Sequence, residues 1–383
     1  MSQVLTLVAA VFAGLGVAGT AYFVMSLWTA ERYIRQRPPA NSGFTPPVSI
    51  LKSLKGLDPH MYAAFRSHCL LEHREYEVLF GVHDLEEPAL SLVEKLQSEF
   101  PQHKLRVVHC PQVLGQNGKV STLAQMLPAA KYEHVIINDS DILVAPDYLD
   151  RVLAPLATSG VGMVTTLYRA LPGKTLGSRL EALGIATDFA GGVLLARALE
   201  GGVRFGLGAT IATSKTVLRQ IGGLEPLADY LADDYELGAR IAAAGNRIEL
   251  ADTVVETALP DYSFRDFWGH QMRWARTVKD RRPAQYLGLV VTFGLPWALL
   301  AVMAGPSWWW TWLVLLAAAI GRVVSAWVVG KRILNDPRVV RDLWLVPVRD
   351  FVGLAVWLVS YADNTVEWRG LRFKLRKGKL QEL

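Results

Sequence analysis

Residues 135–141 read Val-Ile-Ile-Asn-Asp-Ser-Asp, and this stretch decides the fold class. A short apolar run that ends abruptly in polar residues is typical of a buried parallel strand. The polar end then lies at the carboxyl edge of the sheet, where open α/β sheets bind ligands. Asp139 and Asp141 reach one small volume there, and two carboxylates suit Mg²⁺ or Mn²⁺ bridging a diphosphate. A loop whose aspartates cap the next helix is the simpler alternative.

Strand and helix patterns alternate on both sides of this stretch. The sequence predicts strands at 48–52, 76–82, 105–108, 135–138, 161–166, 208–213 and 248–255. It predicts helices between them, including one that begins after the polar turn at 115–119. Such alternation predicts an α/β fold with a mostly parallel sheet and right-handed crossovers. No Gly-x-Gly-x-x-Gly motif follows the first strand, so a dinucleotide-binding domain is not supported.

The composition indicates membrane segments, because 51% of the residues are hydrophobic and only 20% are charged. Residues 4–28 contain no charge and are long enough to cross a bilayer. Arg32, Arg35 and Arg37 follow them, so the positive-inside rule predicts an uncleaved anchor with its C-terminal side in the cytoplasm. The net charge of +5, with basic residues beside apolar runs, favours contact with membrane lipids over nucleic acid.

Two further apolar spans are predicted at 284–304 and 308–329, separated by Gly305-Pro306-Ser307. Arg322 lies near the inner end of the second span, where we expect its side chain to snorkel to the interface. Residues 343–361 are interrupted by charges and predict an interfacial or re-entrant segment, with a third span as the alternative. Residues 183–204 are apolar and glycine-rich, and fit either an interfacial helix beside a lipid-binding groove or a buried core helix.

The predicted domain organisation has five parts. They are an anchor (1–30), a linker (31–47), a cytoplasmic catalytic domain (48–282), a transmembrane hairpin (283–330) and an interfacial or re-entrant segment with a basic tail (331–383).

Three more polar groups accompany the aspartate pair in the predicted catalytic domain. Asp84 follows the strand at 76–82. Asp233 and Asp234 begin a helix, where an N-cap role for Asp233 and a dipole role for both are the simplest interpretation. The basic, aromatic segment 263–282 contains His-Gln-Met-Arg-Trp at 270–274.

These motifs, in this order, resemble a GT-A glycosyltransferase of family 21, which includes the ceramide glucosyltransferases and the bacterial hopanoid biosynthesis-associated glycosyltransferases. The resemblance covers nearly the whole chain, from the anchor to Trp368-Arg369. It implies a membrane-bound inverting enzyme that moves a sugar from a UDP-sugar donor to a lipid acceptor. The compact C-terminus and the His-x-x-Arg-Trp form favour GlcNAc as sugar and a hopanoid polyol such as bacteriohopanetetrol as acceptor. Ceramide with UDP-glucose is the alternative.

The resemblance also implies roles for individual residues. Asp84 would hold the uracil or ribose of the donor, and Lys119 would lie near its diphosphate. Asp139 and Asp141 would hold Mn²⁺ or Mg²⁺, with Asp141 more often the direct ligand. Asp234 would be the general base that takes the proton of the acceptor hydroxyl.

Lys55, Asp233 and His270 complete the expected donor-binding residues. His270 departs from the family pattern, which has Gln or Arg three positions before the Arg of Arg-Trp. Arg273 would pair with the pyrophosphate and Trp274 would shape the acceptor pocket.

The sequence also leaves two other classes of protein open as alternatives. A processive polysaccharide synthase shares the aspartates but needs a membrane pore and a Gln-x-x-Arg-Trp motif. A non-catalytic, membrane-tethered UDP-sugar sensor has no use for a base at Asp234. The family resemblance further implies an integral protein of the bacterial inner membrane, with the catalytic domain facing the cytoplasm.

Overall fold

The computed structural model describes residues 2–36, 43–368 and 370–383. The strands are β1 (Val48–Ser53), β2 (Tyr76–Val82), β3 (Leu105–His109), β4 (His134–Ile137), β5 (Ile142–Leu143), β6 (Val161–Leu171), β7 (Ile211–Ser214), β8 (Arg247–Ala258), β9 (Thr365–Trp368), β10 (Leu371–Arg376) and β11 (Lys379–Glu382). The helices are α1 (Ser2–Arg35), α2 (Met61–Cys69), α3 (Leu90–Glu99), α4 (Gly118–Met126), α5 (Tyr148–Leu153), α6 (Leu176–Gly184), α7 (Ala190–Leu199), α8 (Lys215–Gln220), α9 (Asp233–Ala243), α10 (Phe264–Arg281), α11 (Pro283–Gly288), α12 (Gly294–Ala304), α13 (Trp309–Trp327), α14 (Arg338–Asp342) and α15 (Val346–Val359).

The chain forms two compact units. One contains Arg37–Leu171 and Ala196–Pro260, and the other contains Met1–Gln36, Pro172–Leu195 and Asp261–Leu383. We call them the sheet unit and the helical unit. Residues 172–195 and 261–282, which the sequence assigns to the 48–282 domain, thus group with the terminal helices.

The sheet unit contains an eight-stranded sheet in the order β3-β2-β1-β4-β7-β6-β8-β5. The pairs β3-β2, β2-β1, β1-β4 and β6-β8 are parallel. The pairs β4-β7, β7-β6 and β8-β5 are antiparallel, so the sheet is mixed. The prediction of an α/β fold is confirmed, and the parallel half of the sheet includes the strand that precedes the aspartate pair.

Helices such as α4 pack on the central strands and bury them. In β1, residues 48–52 are all buried, and in β2 the same is true of 77–82. Strands buried on both faces read as continuous apolar runs rather than alternating ones. Gly81 allows the close approach of α4, because a Cβ there would lie 2.2 Å from the sulfur of Met126.

Among the residues that the structure describes, four helices are long and apolar enough to cross a membrane: Gln3–Arg35, Leu176–Leu199, Trp309–Ile333 and Arg338–Ala362. The segment predicted as a span at 284–304 is instead broken between Pro283–Thr292 and Gly294–Ala304, with a bend of 54°. Gly294 lies at the break and packs on Gly19 of α1, where a Cβ on Gly19 would lie 2.2 Å from the Cα of Gly294. Small residues that let helix backbones approach closely are typical of packing in membranes.

The prediction that the Arg322 side chain extends to the membrane interface is wrong. Its side chain is only 4% exposed and makes a bidentate contact with Asp350, with Nε 3.0 and 2.9 Å from the two carboxylate oxygens. Asp350 is contributed by α15, which the local sequence around Arg322 does not reveal. A buried guanidinium needs a paired carboxylate, since an unpaired charge would be costly there.

The chain termini differ from the sequence prediction in two details. Helix α1 continues to Arg35 into the predicted 31–47 linker, of which residues 37–42 lie outside the described part. The predicted basic tail forms an antiparallel sheet in the order β11-β10-β9. In β10, Phe373 and Leu375 are buried while the basic residues alternate with them on the exposed face.

Candidate functional site

The carboxyl edge of the sheet brings Lys52 and Asp139 together. β1 and β4 are parallel neighbours, so the end of β1 lies beside the loop that follows β4. The Nζ of Lys52 donates to the carbonyl oxygen of Asp139 at 3.0 Å. Lys52 is fully buried, and burial lowers its pKa to about 7 against the opposing effect of Asp141 and Asp139. This lysine therefore holds the loop at the end of the central strand.

A buried amide fixes the same loop from the other side. Asn138 is 1% exposed and its side-chain nitrogen donates to the carbonyl of Ala209 at 2.7 Å and to the hydroxyls of Tyr148 and Thr210. Because a satisfied buried polar group favours one conformation, the two aspartates that follow are held in place.

Lys119 lies between Asp139, in the loop after β4, and Asp233, in the first turn of α9. It belongs to the first turn of α4, whose N-cap Asn117 accepts a hydrogen bond from the amide of Val120. Its Nζ is 2.6 Å from Oδ1 of Asp139 and 3.4 Å from Oδ2 of Asp233. Burial alone would lower the pKa of Lys119, but the neighbouring carboxylates raise it well above its ordinary value. Lys119 is therefore a fixed positive charge in this site.

Asp234 is held by two backbone amides at the start of α9. Its Oδ2 accepts from the amide of Gly208 at 2.7 Å, and its Oδ1 accepts from the amide of Tyr235 at 2.7 Å. Burial and the adjacent Asp233 raise the pKa of Asp234 to about 6, although Lys119 acts in the opposite direction. A pKa near the working pH is what general base catalysis requires.

The simpler interpretation of Asp233 as an N-cap is wrong, and its donor-binding role stays a prediction. Ala232 occupies the N-cap position without a side-chain hydrogen bond. Asp233 lies in the first turn, where it contacts Lys119 and accepts a hydrogen bond from the Asn117 amide at 3.3 Å.

Gly208 fits between the carboxylates of this site. A Cβ at this position would lie 3.2 Å from Oδ2 of Asp139 and 3.3 Å from Oδ2 of Asp234. The absence of a side chain therefore keeps both carboxylates where they are.

Asp141 lies beside Asp139 and beneath β8. The hydroxyl of Thr257, in β8, donates a short hydrogen bond to its Oδ2. Burial and the charge of Asp139 raise the pKa of Asp141 to about 6. Burial and the neighbouring carboxylate disfavour the ionised form of Asp141, and a nearby cation would favour it.

The donor atoms of Asp139 and Asp141 fit a divalent metal ion. Among the described residues, no group of three or more His, Cys, Asp or Glu side chains could hold a metal by itself. Mg²⁺, however, is commonly bound by one or two carboxylates, with water and substrate phosphates completing its shell. This pair of hard oxygen ligands at a sheet edge suits that arrangement.

The remaining predicted donor-binding residues of the sheet unit lie on its exposed loops. Lys55 and Asp84 follow β1 and β2, which are parallel neighbours, so both lie at the same edge of the sheet. Asp84 closes a local turn by accepting from the amide of Glu86 at 2.9 Å. The donor-binding roles of Lys55 and Asp84 stay predictions.

The motif at 270–274 lies on α10, in the helical unit. His270 Nδ1 is 3.0 Å from Oε1 of Glu181, a residue of α6 that is 1% exposed. Gln271 donates to the other oxygen of Glu181 at 2.7 Å. The His270 ring also contacts Trp274, with centroids 5.5 Å apart. His270 therefore has a structural partner in Glu181. Its expected contact with the donor stays a prediction, and so do the roles of Arg273 and Trp274.

Sequence reasoning missed several residues that shape these sites: Lys52, Asn138, Gly208, Thr257 and Glu181. Lys52 carries a signal, because a lysine inside the apolar run 48–52 is expected to be buried and paired. The contact of Thr257 with Asp141 joins positions 116 residues apart, and no local pattern marks it.

A family model described as glycosyl transferase family 21 matches residues 11–381. The chain belongs to this family. The match covers most of α1, the sheet unit and the C-terminal helices, so it confirms the resemblance at family level and establishes the protein as a glycosyltransferase.

Curated relatives of this family 21 glycosyltransferase include Ceramide glucosyltransferase 1 of Caenorhabditis elegans. It is 23% identical over 351 residues, which are 87% of this chain and 72% of that one. Ceramide glucosyltransferase of Komagataella phaffii is 29% identical over 147 residues, 37% of this chain and 28% of that one.

A mannosyltransferase from Pyrobaculum calidifontis, solved in complex with GDP-Man and Mn²⁺, has the same fold. It is 20% identical, with a TM-score of 0.52 over 91% of this chain and 99% of that chain. At this level of identity the likeness carries the fold alone.

Proposed function

We propose that this family 21 glycosyltransferase moves a sugar from a UDP-sugar to a hydroxyl of a membrane lipid, with inversion at the anomeric carbon. The observation that carries the proposal is the position of Asp234. Both oxygens of its carboxylate accept hydrogen bonds from backbone amides. Burial and Asp233 raise its pKa to about 6, although the nearby Lys119 acts in the opposite direction.

The reaction is one displacement. The acceptor oxygen forms a bond to the anomeric carbon as the bond from that carbon to the donor diphosphate breaks, and the proton of the acceptor hydroxyl passes to Asp234. General base catalysis by a well-placed carboxylate contributes about 10² to 10⁴ in rate. Since Gly208 and Tyr235 hold both oxygens of Asp234, the base needs no reorganisation to act.

The leaving diphosphate must be neutralised. Lys119, kept protonated by its neighbouring carboxylates, supplies one positive charge, and its orientation is set by Asp139 and Asp233. Asp139 and Asp141 would hold Mn²⁺ or Mg²⁺, which stabilises the charge that develops on the diphosphate. Thr257 keeps Asp141 oriented by its hydrogen bond.

Other roles rest on the family resemblance. Asp84 and Lys55 are proposed to bind the nucleoside and the diphosphate of the donor. Arg273 is proposed to pair with the pyrophosphate and Trp274 to line the acceptor pocket. His270 is the least supported donor contact, because its Nδ1 is already paired with Glu181.

We propose a lipid acceptor because the described part of the chain contains four helices long and apolar enough to cross a membrane. Among lipids we favour a hopanoid polyol with UDP-GlcNAc as donor, on the compact C-terminus and the His-x-x-Arg-Trp motif. Ceramide with UDP-glucose is the alternative, and the curated relatives named above carry that activity in their names. We further propose that the catalytic domain faces the cytoplasm of a bacterial inner membrane, since Arg32 and Arg35 follow the first span.

The test is sugar transfer by the purified, detergent-solubilised full chain. UDP-GlcNAc and UDP-glucose are each combined with bacteriohopanetetrol and with ceramide in the presence of Mn²⁺ or Mg²⁺. Lipid products are identified by mass spectrometry. The chelator EDTA and the variant Asp141→Ala serve as metal controls.

A GlcNAc-hopanoid product that disappears with EDTA would support the favoured pair. Glucosylceramide as the product would retain the mechanism and correct the donor and acceptor. If UDP-sugar binds but neither lipid is modified, the proposed acceptors are wrong.

A further inference from the structure

Two long apolar helices of the helical unit end together at a cluster of arginines. They are α1 and the helix Trp309–Ile333, and each is long and apolar enough to cross a membrane. The hydroxyl of Ser325 donates to that of Ser26 at 3.3 Å. Further along both helices, Arg332 lies 3.9 Å from Glu31. The two helices therefore run parallel, and the reaction described above makes no use of the end where they meet.

Three arginines surround one carboxylate at this end. Nε of Arg35 lies 3.0 Å from Oε1 of Glu31, and Nη1 of Arg332, from the other helix, lies 3.9 Å from Oε2. Arg32 follows Glu31 directly and lines the same cavity. Three positive charges minus one negative charge leave this cluster with a net charge of +2.

The guanidinium groups of the cluster are open to a ligand. The side chain of Arg35 is 76% exposed, and that of Arg332 is 47% exposed. Each guanidinium has five N–H donors, whereas the carboxylate of Glu31 has two oxygens to share between both arginines. Most of the donors therefore remain for another anion with several oxygens.

A tryptophan places the cluster at the level of lipid head groups. Trp28 is 55% exposed, and the guanidinium carbon of Arg32 lies 5.6 Å from the centroid of its ring. Exposed tryptophan at the end of an apolar helix is typical of a membrane–water interface. A cavity of about 350 Å³ opens here and is lined by Trp28, Glu31, Arg32, Arg35 and Gln36.

Ordinary roles of basic residues at helix ends do not account for this arrangement. Orientation in the membrane and interaction with the helix dipole require positive charge but no particular geometry. Here arginines from two different helices converge on one carboxylate beside a cavity. Guanidinium groups bind phosphate oxygens in pairs, which is a geometry that such a cluster offers.

The charge of the cluster favours an anionic lipid over a zwitterionic one. A quaternary ammonium group would be repelled by the arginines. It could otherwise bind over an aromatic ring, but Arg32 already occupies that position at Trp28. The phosphate of an anionic phospholipid has no such cation beside it and is attracted by the net charge of +2.

We propose that Arg32, Arg35 and Arg332 bind the phosphate of an anionic phospholipid of the membrane. Trp28 contacts the glycerol part of the same lipid, and Glu31 competes with the phosphate for the arginines. The inference is independent of the proposed sugar donor and acceptor, because none of these residues takes part in the reaction.

The experiment measures lipid binding by the purified full chain in detergent. Phosphatidylglycerol and phosphatidylcholine with identical acyl chains are titrated separately, and bound lipid is counted by native mass spectrometry. Both lipids contain a phosphate, so the comparison isolates the net charge of the head group. Inorganic phosphate is added as a competitor, which separates a lipid site from a site for free phosphate.

Two triple variants remove the same number of positive charges from different places. The test variant carries Arg32→Gln, Arg35→Gln and Arg332→Gln. The matched control carries Arg372→Gln, Lys374→Gln and Arg376→Gln, which lie on the exposed face of β10. Thermal unfolding without added lipid checks the fold of each variant, and the single variant Arg35→Gln replaces the test variant if that does not fold.

We expect the wild type to bind phosphatidylglycerol at least about tenfold more tightly than phosphatidylcholine. Each basic residue near an anionic membrane surface contributes about a fivefold change in affinity. The test variant should therefore lose about tenfold or more in affinity for phosphatidylglycerol, and Arg35→Gln alone about fivefold. The control should stay close to wild type, and Glu31→Gln, which removes the competing carboxylate, should bind the anionic lipid more tightly.

Equal losses in the test and control variants would indicate a diffuse attraction and overturn the inference. Equal binding of the two lipids by the wild type, or weaker binding by Glu31→Gln, would do the same. Displacement of the lipid by millimolar inorganic phosphate would show that the site does not select a membrane lipid. If the lipid preference holds but no sugar is transferred, the inference stands and only the proposed function fails.

Discussion

Replacing Asp234 by Asn tests the proposed base most directly. The substitution preserves the shape of the side chain and removes its ability to take a proton. We expect kcat to fall by about 10² to 10⁴, because that is the usual contribution of a general base. Binding of the UDP-sugar should stay within a few-fold of wild type, since Lys119, Asp139 and Asp141 are unchanged.

The same substitution has a predicted effect on stability whose sign depends on pH. The pKa of Asp234 is raised from 3.8 to about 6, so the folded protein binds more protons than the unfolded chain between these values. Stability therefore falls as the pH rises through this interval. The full difference corresponds to roughly 3 kcal/mol above pH 6.

Asn carries no charge and escapes this penalty. It also leaves one of the two backbone amides without an acceptor, but that loss applies at every pH. Between pH 4.5 and pH 8, Asp234→Asn should therefore gain about 2 kcal/mol relative to wild type.

The assays are steady-state transfer, UDP-sugar binding by calorimetry, and thermal unfolding in detergent at the two pH values. Asp233→Asn is a useful comparison, because it removes the neighbouring acid and should lower the pKa of Asp234. The acidic limb of the wild-type kcat profile should lie near pH 6 and move down in Asp233→Asn. Retained turnover in Asp234→Asn, or a stability difference independent of pH, would refute the reasoning.

Three other substitutions test the remaining parts of the structure. Gly208→Ala places a Cβ 3.2 and 3.3 Å from oxygens of two site carboxylates, and we expect kcat to fall at least tenfold with donor binding retained. Thr257→Val removes the hydrogen bond to Asp141 and should lower the apparent affinity for Mn²⁺, measured by activity, about 10 to 100-fold. Thr257→Ser retains a hydroxyl and should leave that affinity unchanged. Arg322→Met leaves Asp350 buried without its partner and should cost about 3 to 5 kcal/mol in thermal unfolding, partly recovered by adding Asp350→Leu. Unchanged metal titration, kinetics or unfolding in the respective variant would contradict each expectation.

The local sequence determined the order of elements and the position of the aspartate pair. Apolar runs of strand length, turn residues and helix starts are properties of neighbouring residues, so they are visible without the fold. The strand before Asp139 is predicted at 135–138 and found at His134–Ile137. The order of the motifs was specific enough to indicate the family, which the match over residues 11–381 confirms.

Only the tertiary structure decided which side chains meet. Lys119 contacts Asp139 and Asp233, although these residues come from three separate segments. Strand direction was also a tertiary outcome, because β7 is largely buried like its neighbours yet runs antiparallel to β4. A strand's direction depends on the path of its connections, which its own residues do not encode.

The charges in the apolar helices make the same point. Read locally, Arg322 is a basic residue near the end of a span and is expected to extend to the interface. In the fold, Asp350 and Asp188 lie within ion-pair distance of Arg322. The guanidinium therefore pairs with these carboxylates instead of extending to water. Periodicity and motif order were therefore determined by the sequence alone. The partner of each buried charge was decided by packing, because a desolvated charge must pair with whichever opposite charge the fold places beside it.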